Sequence, residues 1–104
     1  MAPTSPPGPT SQLLIAEAVF PQFVGDAFVR DPESNVTVDN GYAAWCAWAD
    51  RRGGFTILNR RWFTTQMRTR GLTAYTLRDS GTPVYVGYRL RPTAELVQLA
   101  TSHG

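Results

Sequence analysis

The sequence has little of the chemistry from which most active sites are built. Its 104 residues include one cysteine, Cys46, one histidine, His103, and no lysine. A single cysteine cannot form an internal disulfide, and a single histidine leaves no ligand set for a metal cluster and no base for a histidine-dependent triad. We therefore expect no enzyme activity, no metal site and no cofactor.

Long apolar runs are also lacking. No stretch approaches the roughly 18 consecutive apolar residues that a membrane-spanning helix needs. The first ten residues do not follow the basic-then-apolar order of a signal peptide. The length suffices for one compact domain. These features predict a cytoplasmic protein with no membrane partner.

Charge is divided unevenly between the two halves of the chain. Residues 1–50 hold one arginine and six carboxylates, a balance of −5, whereas residues 51–104 hold nine arginines and two carboxylates, a balance of +7. A concentration of positive charge in one half of the chain predicts a surface that binds a polyanion. Arginine suits bidentate contacts to phosphate and guanine, although we favour genomic base composition as the reason that arginine is used in place of lysine.

The ends of the chain differ in composition from the middle. Residues 1–11 are rich in proline and lack large apolar side chains after Met1, which predicts a disordered leader or a linker. Residues 12–91 should form the domain. Residues 92–104 should form a short helix, capped by Thr93 and running to Ala100, with a tail. Leu96, Val97 and Leu99 on that helix could contact the domain or a second copy of the chain.

Apolar periodicity predicts a first helix over residues 13–30, ended by Asp31-Pro32. Pro21 marks either a kink in this helix or the first turn of another one. A short strand over residues 36–38 follows. Asp39 should then cap a second helix that runs to about Arg52 and stops at Gly53-Gly54.

The second helix should bury one face, and the third helix should begin after a second cap. Tyr42, Trp45, Cys46 and Ala49 share the apolar face of the second helix, so Cys46 is expected to be a buried small side chain rather than a reactive thiol. Asn59 should cap a third helix ending at Gly71.

Opposite faces of the third helix differ in character. Phe63 and Met67 point towards the core. The opposite face holds Arg61, Thr64, Thr65 and Arg68, with Arg60 and Trp62 on the flanks. Tryptophans at helical spacing belong to a core more often than to a base-stacking platform, which is the expectation for Trp45, Trp48 and Trp62.

A hairpin should follow, with strands over residues 72–78 and 84–91 joined by turn residues 79–83. Alternation along the second strand predicts inward-facing Val84, Val86, Tyr88 and Leu90. It places Tyr85, Arg89 and Arg91 on the outer face.

This order predicts an α+β fold of the winged helix-turn-helix type, with three helices, a two-stranded wing and a short strand between the first two helices. In such a fold the third helix enters the major groove and the wing follows the neighbouring backbone. All nine late arginines lie on the second helix, the third helix or the wing. The predicted DNA-binding residues are Arg52, Arg60, Arg61, Thr64, Thr65, Arg68, Arg78, Arg89 and Arg91.

Short motifs carry a family resemblance over residues 19–90. They are Val19-Phe20, Asp31-Pro32, Tyr42-Ala43-Ala44-Trp45-Cys46, Asn59-Arg60-Arg61-Trp62-Phe63, Arg70-Gly71 and Val86-Gly87-Tyr88-Arg89-Leu90. This stretch resembles the C-terminal winged-helix domain of phage and plasmid primase-helicases that carry the poxvirus-type helicase module. The resemblance implies contact with origin or template DNA. The chain has no Gly-rich phosphate-binding loop, so we expect no ATPase or polymerase activity.

Two functional hypotheses follow. The first is a double-stranded DNA-binding module of phage or mobile-element type, acting in replication initiation or as a small regulator. The second is a protein-interaction adaptor that uses the same surface to bind a host or replication protein, since a fold does not by itself fix a function. The sequence is compatible with a stand-alone protein and with a piece of a longer one, and with a monomer and a dimer.

Overall fold

The computed structural model describes residues 9–53 and 57–102 and combines helices with a small sheet. Within these ranges there are four helices and three strands: α1 (Pro9–Ala27), β1 (Phe28–Thr37), α2 (Val38–Arg52), α3 (Arg60–Thr69), β2 (Tyr75–Thr76), β3 (Pro83–Leu90) and α4 (Thr93–Ser102). The strands form one antiparallel sheet in the order β1-β3-β2. The predicted α+β class is confirmed, with four helices in place of three.

The first helix begins and ends earlier than predicted. It starts at Pro9, so it overlaps the end of the predicted leader, whose residues 1–8 lie outside the described part of the chain. One helix runs through Pro21, which excludes the second of the two alternatives left open there, a separate helix beginning at this residue. The helix ends at Ala27 because Phe28 already pairs with Leu90 of β3, and sheet hydrogen bonds replace helical ones.

The first strand is ten residues long and contains an irregularity. Its pairing with β3 shifts between Arg30 and Asn35. Asp31-Pro32, predicted to end a helix, lies in this irregular segment. There the Asp31 carboxylate accepts hydrogen bonds from the Ser34 hydroxyl, at 2.8 Å, and from the Glu33 amide, at 3.2 Å. The strand prediction over residues 36–38 therefore captured only the end of β1.

One helix cap was predicted correctly and one was not. The side chain of Asn59 accepts a hydrogen bond from the Trp62 amide at 2.9 Å, which confirms the cap of α3. The cap of α2 is Thr37, whose hydroxyl accepts from the Asn40 amide at 3.0 Å, and Asp39 is instead the second residue of that helix. Thr37 has the extended backbone that a cap requires.

Glycine ends α2 as predicted, whereas α3 is shorter than expected. Gly53 has a φ of 69°, in the left-handed region that favours glycine; Gly54 lies outside the described residues. α3 ends at Thr69 rather than Gly71. The Leu72 amide then donates to the Met67 carbonyl at 2.9 Å and closes the helix end.

The core is built from aromatic rings of α1, α2 and α3. Phe20, Phe23, Trp45, Trp48 and Phe63 are fully buried, and the Phe20 and Trp45 ring centroids lie 5.0 Å apart. Tilted and edge-on ring pairs of this kind add to the gain from burial alone. The interior placement expected for Trp45 and Trp48 is confirmed, while Cys46 and Trp62 are half-buried against this core.

The hairpin is confirmed but is smaller than predicted, because β2 has only two residues. The alternation predicted for β3 is wrong at two positions. Tyr85 is buried, at 2% exposure, and Val86 is 51% exposed. The reason is the register: Tyr85 pairs with buried Val36, and the irregular step at Gly87, with a φ of 85°, resets the alternation.

The fourth helix is part of the folded body. Leu96 and Ala100 are buried in the same core as α1 and α2, and the Arg91 amide donates to the Ala27 carbonyl at 2.9 Å just before α4. The expected contact of Leu96 with the domain is confirmed, so the packed region continues past residue 91. None of the helices within residues 9–53 and 57–102 has the length and apolar character to cross a bilayer.

Candidate nucleic-acid interface

A cleft of about 460 Å³ separates the start of α3 from the hairpin. We call it the α3 cleft. It is lined by Val38, Arg60, Arg61, Thr64, Ala74 and Pro83. Three of these residues were predicted to bind DNA, and the other three provide apolar surface. The structure thus brings Arg60, Arg61 and Thr64 to one site.

The amphipathic pattern of α3 explains this arrangement. Phe63 and Met67 are fully buried and fix the orientation of the helix. Residues four apart lie on successive turns of one helix face, so Arg60, Thr64 and Arg68 line the same flank. That flank faces the hairpin, since Arg60 and Thr64 share the α3 cleft with Ala74 and Pro83.

The two threonines predicted to meet DNA are bonded to the backbone of their own helix. The Thr64 hydroxyl donates to the Arg61 carbonyl at 3.0 Å, and the Thr65 hydroxyl donates to the same carbonyl at 2.9 Å. Their hydroxyl protons are therefore engaged. What each side chain offers a ligand is a methyl group and an acceptor oxygen.

Tyr85 joins the sheet to the basic flank of α3. Its ring packs edge-on against Phe63, with centroids 6.4 Å apart. Burial raises the pKa of the Tyr85 hydroxyl, and the positive charges of Arg60 and Arg68 oppose this rise. The phenol therefore lies within electrostatic reach of both guanidinium groups. The strand pattern missed this residue, and Gly87 was the sequence signal for the irregular step that turns it inward.

Two of the predicted DNA-binding arginines have carboxylate partners. Arg60 Nη2 lies 2.9 Å from Asp39 Oδ1, and both side chains are largely exposed. Arg89 Nε lies 3.9 Å from Asp31 Oδ2. The Ser34 hydroxyl and the Glu33 amide lower the pKa of Asp31, and Arg89 adds a smaller effect in the same direction. Sequence reasoning gave Asp39 the role of a cap and missed its ion pair.

Three predicted arginines are exposed without such partners. In the ranges that the structure describes, the side chains of Arg61, Arg68 and Arg78 form no ion pair and no hydrogen bond. Arg61 and Arg68 lie on α3, and Arg78 lies in the turn between β2 and β3. These are the guanidinium groups most readily available to an anion.

Other arginines of the basic half lie away from the α3 cleft. Arg91 lines two clefts beside α4, and Arg52 is half-buried at the end of α2. Arg51 Nε donates to the Thr101 hydroxyl of α4 at 2.9 Å. Arg70 bonds to Gln66 and to the Glu17 carbonyl, which ties α3 to α1. The expectation of one basic face made by all nine arginines is therefore too broad.

The α3 cleft suits binding rather than bond breaking. Guanidinium groups form strong, directional hydrogen bonds to phosphate, and an apolar floor suits a sugar or the methyl group of a base. Within the described residues, no three His, Cys, Asp or Glu side chains are grouped so that they could hold a metal ion. Comparison with family models, with curated proteins and with solved structures finds no match to this chain.

Proposed function

We propose that this protein binds double-stranded DNA as a winged helix-turn-helix module, with α3 in the major groove and the β2–β3 hairpin as the wing. The observation that carries the proposal is the α3 cleft, where Arg60 and Arg61 flank an apolar floor. Arg68 extends the same basic flank by two helical turns. Such a surface attracts the phosphate backbone and reaches base edges.

The arrangement of elements supports this docking. A strand lies between the first two helices, and a hairpin follows the third helix directly. The hairpin and the start of α3 face each other across the α3 cleft, since Pro83 of β3 lines it together with Arg60 and Thr64. This is the order from which a winged helix presents its third helix and its wing to a duplex.

The proposed contacts are of two kinds. Arg61 and Arg68 lie exposed on α3 and are suited to bidentate contacts with guanine, while Thr64 and Thr65 offer methyl groups to thymine. Arg60, Arg78 and Arg89 would contact phosphates. A role in replication initiation or in regulation belongs to the same proposal.

The experiment is a binding titration with random-sequence duplex DNA, followed by fluorescence anisotropy at 50 and 200 mM salt. The variant Arg61→Ala/Arg68→Ala should keep its melting temperature and lose most of its affinity. Its matched control is Arg51→Ala/Arg91→Ala, which removes the same charge beside α4 and should bind nearly as well as the wild type. Equal losses in both variants would contradict α3 as the binding helix.

A second function, binding of a protein partner, is favoured by one observation. Tyr75, Val86 and Leu77 are 68%, 51% and 38% exposed on the hairpin, where an apolar contact surface could form. An adaptor would dock there. Absence of any duplex binding at about 50 mM salt would favour this function, because a basic surface that evolved for DNA binds it tightly at low salt.

A further inference from the structure

We propose that Asp39 competes with the DNA backbone for Arg60: its carboxylate holds the guanidinium in the free protein and releases it to a phosphate in the complex. This inference rests on the proposed function and names the residue that limits its affinity. Asp39 is thus a positioning residue that acts through Arg60.

The geometry of the pair allows the exchange. Arg60 Nη2 and Asp39 Oδ1 are 2.9 Å apart, and the side chains are 49% and 78% exposed. An exposed ion pair adds little to folding stability, so it can open at small cost. Arg60 also lines the α3 cleft, so a phosphate in that cleft would reach the same guanidinium group.

The helix positions of the two residues favour the same exchange. Arg60 is the first residue of α3, where the positive end of the helix dipole opposes a cation and favours an anion. Asp39 is the second residue of α2, where the dipole stabilises a carboxylate. After Arg60 leaves, Asp39 therefore remains solvated and electrostatically supported, while a phosphate at the start of α3 gains both the guanidinium and the dipole.

The exchange has a signature in the salt dependence of binding. A phosphate contacted by a free arginine releases its condensed counterion, which steepens the slope of log K against log salt by about 0.9. In the wild type Arg60 must first leave Asp39, and because salt screens this exposed ion pair, opening it costs less as the salt concentration rises. Arg60 should therefore add less to the slope in the wild type than in Asp39→Asn.

The test is a double-mutant cycle on random duplex DNA, titrated between 50 and 200 mM salt. The proteins are the wild type, Asp39→Asn, Arg60→Gln and the double variant. The matched control is Asp50→Asn, which removes an exposed carboxylate from the other end of α2. Melting temperatures establish that every variant folds.

Asp39→Asn should steepen the slope by less than the about 0.9 of a full contact. It should tighten binding by no more than about fivefold at 100 mM salt, because an exposed ion pair is worth at most about 1 kcal/mol. Neither change should occur in the Arg60→Gln background, and Asp50→Asn should leave the slope unchanged. An equal effect of Asp39→Asn with and without Arg60 would overturn the exchange and leave simple repulsion of DNA by Asp39. A wild type that binds no duplex would overturn the proposed function as well.

Discussion

The guanidinium carbon of Arg70 lies 4.9 Å from the centroid of the Phe20 ring, so an arginine of the basic half packs against the aromatic core. The same guanidinium bonds to the Gln66 side chain at 2.8 Å and to the Glu17 carbonyl at 3.3 Å. A count of charges along the sequence includes Arg70 among the nine arginines that could bind an anion. Its surroundings make it a link between α3 and α1.

Replacing Arg70 should therefore reduce stability and leave DNA binding nearly intact. Arg70→Gln removes a cation–π contact and the hydrogen bond to Glu17, which together are worth about 1–2 kcal/mol. The free energy of unfolding from urea titration should fall by that amount, and the affinity for random duplex should stay close to that of the wild type. A large loss of affinity in a stably folded Arg70→Gln would place this residue at the DNA instead.

The cap of α2 gives a second prediction, since Thr37 and not Asp39 accepts the hydrogen bond from the Asn40 amide. Thr37→Ala should lower the free energy of unfolding by about 1 kcal/mol, the usual cost of losing a side-chain cap. Asp39→Asn should change it much less, because that side chain is exposed and its ion pair adds little. Urea titration of both variants at neutral pH distinguishes them. A larger loss in Asp39→Asn would contradict the cap.

Ionisation of Tyr85 and Tyr42 should make the fold sensitive to high pH. Burial raises the pKa of Tyr85 and of Tyr42 above the ordinary value of 10.0. A raised pKa means that the neutral form is favoured in the folded state. The stability it contributes is fully present below pH 10 and is lost as the pH rises through the folded-state pKa. The free energy of unfolding should thus fall above about pH 10.

Tyr85→Phe is the variant that isolates this effect. It removes one ionisable hydroxyl and keeps the ring that packs on Phe63, so its stability should fall less steeply at high pH than that of the wild type. The remaining slope should come from Tyr42, whose hydroxyl donates to the Leu58 carbonyl at 2.9 Å. Identical pH profiles for the wild type and Tyr85→Phe would show that the Tyr85 hydroxyl titrates as it does in water.

Local patterns in the sequence predicted the helices better than the sheet. Phe63 and Met67 are buried as their spacing requires, and Asn59 caps α3, because helix faces and caps depend on residues within one or two turns. Burial along β3 depends instead on its pairing with β1, which lies far earlier in the sequence. Pairing with Val36 and the step at Gly87 turn Tyr85 inward, and no periodicity within β3 contains that information.

Only part of the site could be predicted from the sequence, again because the rest depends on contacts between distant segments. Composition and helix periodicity identified Arg60, Arg61 and Thr64, which the fold brings to the α3 cleft. They did not separate these residues from Arg52 and Arg91, which were also predicted to bind DNA but do not line this cleft, since that distinction depends on how the helices pack. The ion pair between Asp39 and Arg60 joins the starts of two helices that are far apart in the sequence, so spacing alone could not reveal it.

The hairpin offers a prediction that compares two arginines of the proposed wing. The Arg78 side chain is exposed in the turn, without a hydrogen bond or ion pair in the described part of the chain, whereas Arg89 Nε lies 3.9 Å from Asp31. If both arginines contact phosphates, Arg78→Gln should make the fall of log K with log salt shallower by about 0.9, the value for one lost contact. Arg89→Gln should change this slope less, because Asp31 already neutralises part of the Arg89 charge.

Anisotropy titrations at four salt concentrations give the slopes of both variants. Asp79→Asn removes an exposed carboxylate next to Arg78 and serves as the control, since it should make the slope steeper. Equal losses for Arg78→Gln and Arg89→Gln would mean that Asp31 does not restrain Arg89 in solution, and no loss for Arg78→Gln would exclude the turn from the interface.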